Sequence, residues 1–302
     1  METHCEGCAG CCLDWRDRAP PGVALDHERR GRYDPLDDAY NLAVLTRDDA
    51  RQFVAAGEAD ALTARLFEAE GSGVEIDGVN LAAIDGRPAF LLGLRTPPKP
   101  VAPFDTDPGW TRACTFLDPQ TLQCRIHDEG RYPRDCADYP GHDLALDAET
   151  ECERVEAAWG GHRLLDDDAP ADLPGLALGP EAVGWKVFAH PEPDALRGSV
   201  GDVADHSLDR ETRATFVAAA AASAPGSVAV DRDRYETARE TARRARSWAG
   251  RAAADWDQLA GAAAPDPSLS AVVEDDRGAP PTPGWDADDR GGAGPSGGGE
   301  VS

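Results

Sequence analysis

Four cysteines within eight residues, Cys5, Cys8, Cys11 and Cys12, constrain this chain more than anything else in it. They read C-x2-C-x2-C-C. Two thiols separated by two residues can turn onto one metal ion, because a tight turn brings their sulfurs within bonding distance of a common centre. Adjacent side chains diverge, so Cys11 and Cys12 do not hold one ion in the same way. One of them is left to bridge, to serve a second ion or to pack inward. Twelve residues cannot make a core, and a thiolate site needs about four ligands. Further donors must come from far along the chain, and Cys114, Cys124 and Cys136 are the obvious ones. The N-terminus is therefore expected to fold back onto the Cys114–Cys136 region. Structural zinc contributes ~10–16 kcal/mol in small peptides, which would offset closing a loop of roughly 100 residues.

The eighth cysteine, Cys152, lies outside the tight motifs. It sits in ETECERVEAAW, which reads as a helix start, and its loss is expected to matter less than that of Cys124. All eight cysteines fall within the first 152 of 302 residues. A disulfide framework belongs to small secreted domains, and no secretory signal stands at this N-terminus. Thiolates select zinc or an iron–sulfur cluster over magnesium or calcium. C-x2-C-x2-C shares the spacing of bacterial ferredoxins, which points to a four-iron cluster. Zinc is the first expectation and iron or an iron–sulfur cluster the second. His127 near Cys124 is a further ligand candidate, although a capping or surface role suits it better. A phosphate-binding Gly-rich loop and a Ser nucleophile elbow are both missing from the sequence.

CEGCAGCC at Cys5–Cys12, followed by CTFLDPQTLQCRIHDEGRYPRDCADYP at Cys114–Pro140, resembles the YkgJ-like cysteine-cluster family, described as zinc- or iron-chelating. The matching positions are Cys5, Cys8, Cys11, Cys12, Cys114, Leu117, Cys124, Arg131, Pro133, Cys136, Tyr139 and Pro140. His127 stands where that family commonly has Tyr. The resemblance implies a metal-chelating domain over the first half. A flagellin lysine methylase resembles the same group, so an enzyme acting on a protein substrate is the alternative to a binding module.

The charge balance adds a setting. Fifty-six acids oppose thirty bases, a net charge of −26, with 37 Asp, 28 Arg and only Lys99 and Lys186. Acid spread along the whole chain suits hydration in molar salt, where the screening length is only ~3 Å and self-repulsion costs little. The expectation is the cytoplasm of an extreme halophile. The longest apolar run, Phe216–Ala222, is far short of the ~20 residues of a membrane span.

An α+β chain is expected. A cysteine-cluster domain of short hairpins and helices covers 1–165, a helical region 166–263 and a disordered Pro/Gly/Asp-rich tail 264–302. Thr46-Arg-Asp-Asp49 reads as a helix cap. A second helix should carry Leu62 and Leu66, one turn apart. Asp77-Gly78 and Asp85-Gly86 read as hairpin turns within Val74–Leu94, and Pro97, Pro98, Pro100 and Pro103 should end that unit. Arg210–Ala222 reads as one helix. Tyr235, Ala238, Ala242, Ala245, Ala249, Ala252, Trp256 and Leu259 form the stripe of a second, running from about 233 to 262. Its arginines, Arg232, Arg239, Arg243 and Arg246, share a face. Interleaved Glu236 and Glu240 favour intramolecular pairing over a nucleic-acid contact, and phosphate attraction fades in high salt.

Overall fold

The computed structural model describes residues 1–23, 33–127, 129–174, 177 and 179–285. It is α+β. In chain order the elements are β1 (Glu2–Thr3), β2 (Tyr33–Pro35), α1 (Arg47–Ala55), β3 (Leu62–Ala69), β4 (Val74–Ile76), β5 (Val79–Leu81), β6 (Ala83–Ile84), β7 (Arg87–Leu94), β8 (Pro98–Val101) and β9 (Gly109–Arg112). Then come α2 (Arg134–Asp138), α3 (Gly141–Ala145), α4 (Glu151–Trp159), β10 (Leu164–Asp166) and β11 (Phe188–Ala189). The last are α5 (Val200–Ala204), α6 (Arg210–Ala222), α7 (Arg232–Arg244), α8 (Trp248–Leu259) and α9 (Ser270–Val273). No described helix is long and apolar enough to cross a membrane.

The main sheet is antiparallel and centres on β3 and β7, paired from Leu62 opposite Leu94 to Leu66 opposite Phe90. Leu62 and Leu66 thus lie on a strand, not a helix. Spacing of four satisfies both a helical turn and two strand alternations, and buried Ala64 between them fits only the second. The two Asp-Gly turns form as expected: both Asp77 and Asp85 adopt positive φ ahead of their glycines, joining β4 to β5 and β6 to β7.

The proline run does not end the sheet-forming chain either. Pro98 and Pro100 lie in β8, which pairs only with β9, so their missing N–H groups break no ladder on the other side.

Helices cover the sheet. Thr46 caps α1 through a reciprocal box with Asp49. Phe216 on α6 meets Phe90 edge to face, with ring centroids 4.9 Å apart. The long helix expected from 233 to 262 is two helices. Ser247 accepts from the Gly250 N–H at 2.9 Å and starts α8, while its own N–H and hydroxyl go to the Asp60 carboxylate at 2.9 and 2.6 Å. The stripe from Tyr235 to Trp256 is buried across this break, and Leu259 packs against it half-buried.

One apolar cluster runs from Leu45 through Phe90 and Phe216 to Trp256 and Val273, so the boundary expected near 166 does not separate two cores. A second cluster gathers Leu13, Trp15, Tyr40, Phe104, Leu117 and Val155. The chain expected to be disordered from 264 is folded up to 285. Its α9 ends on Glu274, which is fully buried. A Pro/Gly-rich composition supplies little apolar area, but here one carboxylate finds buried cationic partners that fix the segment. The rest of that expected tail, 286–302, lies outside the described residues.

Candidate metal centre

The N-terminal turn is built backbone first. Gly7 and Ala9 take positive φ, and the Cys8 and Cys12 N–H groups donate to the Cys5 and Ala9 carbonyls at 3.0 and 2.8 Å. The chain then runs antiparallel beside 112–114. The Leu13–Ala113 bridge and the Cys114 N–H, donated to the Cys12 carbonyl at 2.7 Å, hold the two segments together. The expected fold-back therefore occurs.

Cys114 and Cys124 flank a tight hairpin closed by the Leu117–Cys124 bridge. Cys136 lies in α2, and Tyr132 reaches over to donate its hydroxyl to the Cys136 carbonyl at 3.4 Å. Cys152 is in the first turn of α4, whose start is fixed by the Thr150–Glu153 capping box. This helix packs on the 3-10 turn Gly10–Cys12. The Tyr139 hydroxyl, accepting from the Glu151 N–H at 2.6 Å, anchors the same helix end. All eight cysteines are free thiols.

Four separate segments thus bring their cysteines to one region, at the seam between the two apolar clusters. Cys114 packs against both clusters. Cys8 is buried, Cys5 and Cys11 are exposed, and the other five are half-buried. Cys11 and Cys12 sulfurs stand 3.8 Å apart. The S–H of Cys12, shared with Cys11, lowers the Cys11 pKa and raises that of Cys12.

Elsewhere burial dominates. It lifts the Cys8 and Cys124 thiols to about 12 and raises those of Cys5, Cys114, Cys136 and Cys152. Neighbouring thiolates push in the same direction, so these sulfurs sense one another's charge. The opposing cations are few: Arg163 for Cys5 and Cys8, and Lys99 for Cys114 and Cys124. As thiolates these sulfurs would be poorly compensated without a bound cation, and their donor chemistry suits a soft divalent metal or an iron–sulfur cluster. A tetrahedral ion with bonds near 2.3 Å needs sulfurs about 3.8 Å apart, the Cys11–Cys12 separation. Among the described residues no three cysteine sulfurs lie within 4.8 Å of one another.

His127 is exposed, with its ring 4.8 Å from that of Tyr132. Asp166, Asp167 and Asp168 form the only close set of ligand atoms among the described residues, and all three are exposed.

Two supporting residues escape a motif-based reading. Lys99 is fully buried and donates to the Thr115 and Leu117 carbonyls at 2.8 and 2.6 Å, inside the Cys114–Cys124 hairpin. Its third partner is Glu274 at 2.6 Å. The signal was present in composition: a chain that uses Arg almost everywhere keeps a Lys there. The other residue, Glu274, carries no local signal at all.

Of the four arginines expected to share a face, three are ion-paired within the chain and Arg246 donates to the Ala245 carbonyl at 2.6 Å. Arg232 meets Glu192 at 3.1 Å, Arg239 meets Glu211 at 3.1 Å, and Arg243 meets Glu240 at 2.8 Å.

No curated protein and no solved structure matches the chain. One family model does, over residues 1–286: the chain belongs to DUF7531, a family of unknown function.

Proposed function

We propose that this is a metal-binding protein whose clustered thiolates hold zinc or an iron–sulfur cluster, as a structural centre or binding module in the cytoplasm of a halophile. The observation that carries the reading is the convergence of eight free cysteines from four chain segments into one half-buried region with few cations. The motif likeness to the YkgJ-like proteins supports the same chemistry. Zinc remains the first choice, because a closed set of thiolates needs nothing more to hold it.

Elemental analysis of anaerobically purified full-length protein tests the proposal. Zinc in a colourless sample is the expected result. A brown sample with absorbance near roughly 400 nm would identify an iron–sulfur cluster instead. A chain that carries neither metal, and takes up neither on reconstitution, would overturn the proposal.

A further inference from the structure

The chain beyond α9 is held in two different ways. Its anchor is deep. Glu274 is fully buried among Lys99, Arg125 and Trp256. Just after it Arg277 pairs with Asp255, and the Arg277 carbonyl accepts from Arg251 Nη2 at 3.2 Å. Gly278 follows with φ +89°, a left-handed turn that redirects the backbone. From there residues 279–285, APPTPGW, cross the turn between Cys114 and Cys124, and none of them is buried.

Ala279 packs half-buried on the main apolar cluster. Beyond it the strap is fastened by hydrogen bonds. The Pro280 carbonyl accepts from Arg125 Nη1 at 2.8 Å, the Gly284 N–H donates to Gln123 Oε1 at 2.8 Å, and Trp285 Nε1 donates to the Thr121 carbonyl at 2.7 Å. The Thr282 hydroxyl lies 3.0 Å from that of Thr121 and donates to Asp118 Oδ2 at 3.3 Å.

Peeling this strap away costs little. Arg125 keeps its ion pairs with Glu274, Asp275 and Asp118, so no buried charge loses its partner. The groups that the strap itself gives up, a carbonyl, an amide, a hydroxyl and an indole N–H, are neutral and return to water. Hydrogen bonds at the surface with little buried apolar area mark the segments that open locally at low free energy. Pro280, Pro281 and Pro283 hold the free strap to few conformations, so it redocks at a small entropic cost.

The residues beneath give opening a consequence. Gln123 and Arg125 flank Cys124 in sequence, and both are tied to the strap. Docked, it pins the chain on both sides of a half-buried thiol. Undocked, the turn is left to its own Leu117–Cys124 bridge and to Lys99, which holds the Thr115 and Leu117 carbonyls from inside.

We propose that residues 278–285 are a latch on the cysteine hairpin, swinging about Gly278 while Glu274 stays anchored, and that its opening gives access to Cys124. Under the metal-binding reading above, the latch sets how readily this hairpin takes up and releases an ion. Backbone exchange reads the latch whether or not a metal is bound, so failure of that reading and failure of the latch are seen separately.

The first test is native-state hydrogen exchange of the full-length chain as purified. The Gly284 amide should exchange by local opening, at a rate nearly independent of urea below the unfolding transition. The Glu274 amide, bonded to the Ser270 carbonyl at 2.8 Å, should wait for larger, urea-sensitive unfolding. Gly284 exchange that rises with urea as steeply as that of Glu274 overturns the latch. The second test is Trp285→Ala, which removes one fastening bond. N-ethylmaleimide should then modify Cys124 about 2- to 12-fold faster, while Cys5, already exposed, keeps its rate. An unchanged Cys124 rate, or an equal acceleration at Cys5, overturns the latch. Should Trp285→Ala fail to fold, the wild-type exchange pattern still decides.

Discussion

Replacing Glu274 with Ala should be the most damaging single change outside the cysteines. Glu274 is wholly buried. Its Oε1 accepts from Lys99 Nζ at 2.6 Å and Trp256 Nε1 at 2.9 Å, and its Oε2 from Arg125 Nε at 2.8 Å. Arg125 would keep Asp275 at 2.9 Å and Asp118 at 3.4 Å. Lys99 would keep only two carbonyls and become a buried ammonium with no counter-charge. Breaking a buried pair in this way costs about 3–5 kcal/mol. At roughly 2–4 °C per kcal/mol for a chain of this class, the melting temperature should fall by about 6–20 °C. Glu274→Gln, which keeps an acceptor for Trp256, should fall less. The double variant Lys99→Met/Glu274→Leu removes both charges and should regain much of the loss, since apolar replacement of a buried pair is often neutral. Scanning fluorimetry and urea unfolding of metal-saturated protein would measure all three. A Glu274→Ala protein that melts within about 2 °C of wild type would refute the reasoning. So would a double variant no more stable than Glu274→Ala.

Gly250→Ala should destabilise the protein although Ala is the better helix former, because the new Cβ would land on the Asp60 carboxylate that holds Ser247; urea midpoints check it, and a gain in stability would count against the α8 start described here. His190, buried against Thr215 Oγ1, has its pKa pushed down to about 4 by burial. The unfolded chain therefore takes up a proton first as pH falls, and about 3 kcal/mol of stability present above pH ~6.5 should be lost on the way down to about 4. His190→Gln should show a flatter acid limb than wild type, and parallel limbs would exclude this assignment. Cys8 and Cys124 have pKa values raised to about 12, so the metal-free fold holds protons that the unfolded chain releases near 9.0. Its stability should be full below that pH and fall as pH climbs towards 12, whereas the metal-loaded protein, with thiolates already ionised, should stay level. Equal alkaline slopes with and without chelator would contradict this. Finally, a net charge of −26 predicts that molar potassium chloride raises the melting temperature, and a salt-independent transition would argue against the halophile setting.

Legibility of the sequence followed the range of the interactions. Caps and turns were readable because their partners lie within four residues: Thr46 with Asp49, Thr150 with Glu153, and the two Asp-Gly turns. The stripe from Tyr235 to Trp256 gave the buried face but not the helix break, since Ser247 is held by Asp60, 187 residues away. Leu62 and Leu66 misled because their spacing serves both periodicities, and β7 as a partner decided between them. Ligand count predicted that the N-terminal turn folds back onto the Cys114–Cys136 region, and Cys12 meets Cys114 there. The fate of residues 264–285 was hidden, because its partners lie far back in the chain. A single Glu in a weakly apolar stretch looks like surface until Lys99 and Arg125 are placed around it.

The C-terminal segment has a consequence for how the protein is made. Arg125 Nη1 donates to the Pro280 carbonyl at 2.8 Å, the Gly284 N–H to Gln123 Oε1 at 2.8 Å, and Trp285 Nε1 to the Thr121 carbonyl at 2.7 Å. These contacts clasp the loop between Cys114 and Cys124. Residues 5–12 leave the ribosome long before residue 285, and the clasp does not exist until residue 285 has followed. At roughly 5–20 residues per second, that interval is about 15–60 s. Throughout it the thiols of Cys5, Cys8, Cys11 and Cys12 are carried on a chain whose 121–125 loop is not yet clasped. Final assembly therefore waits for residue 285, and the reducing state of the compartment during that interval determines how many chains reach it with every sulfur intact.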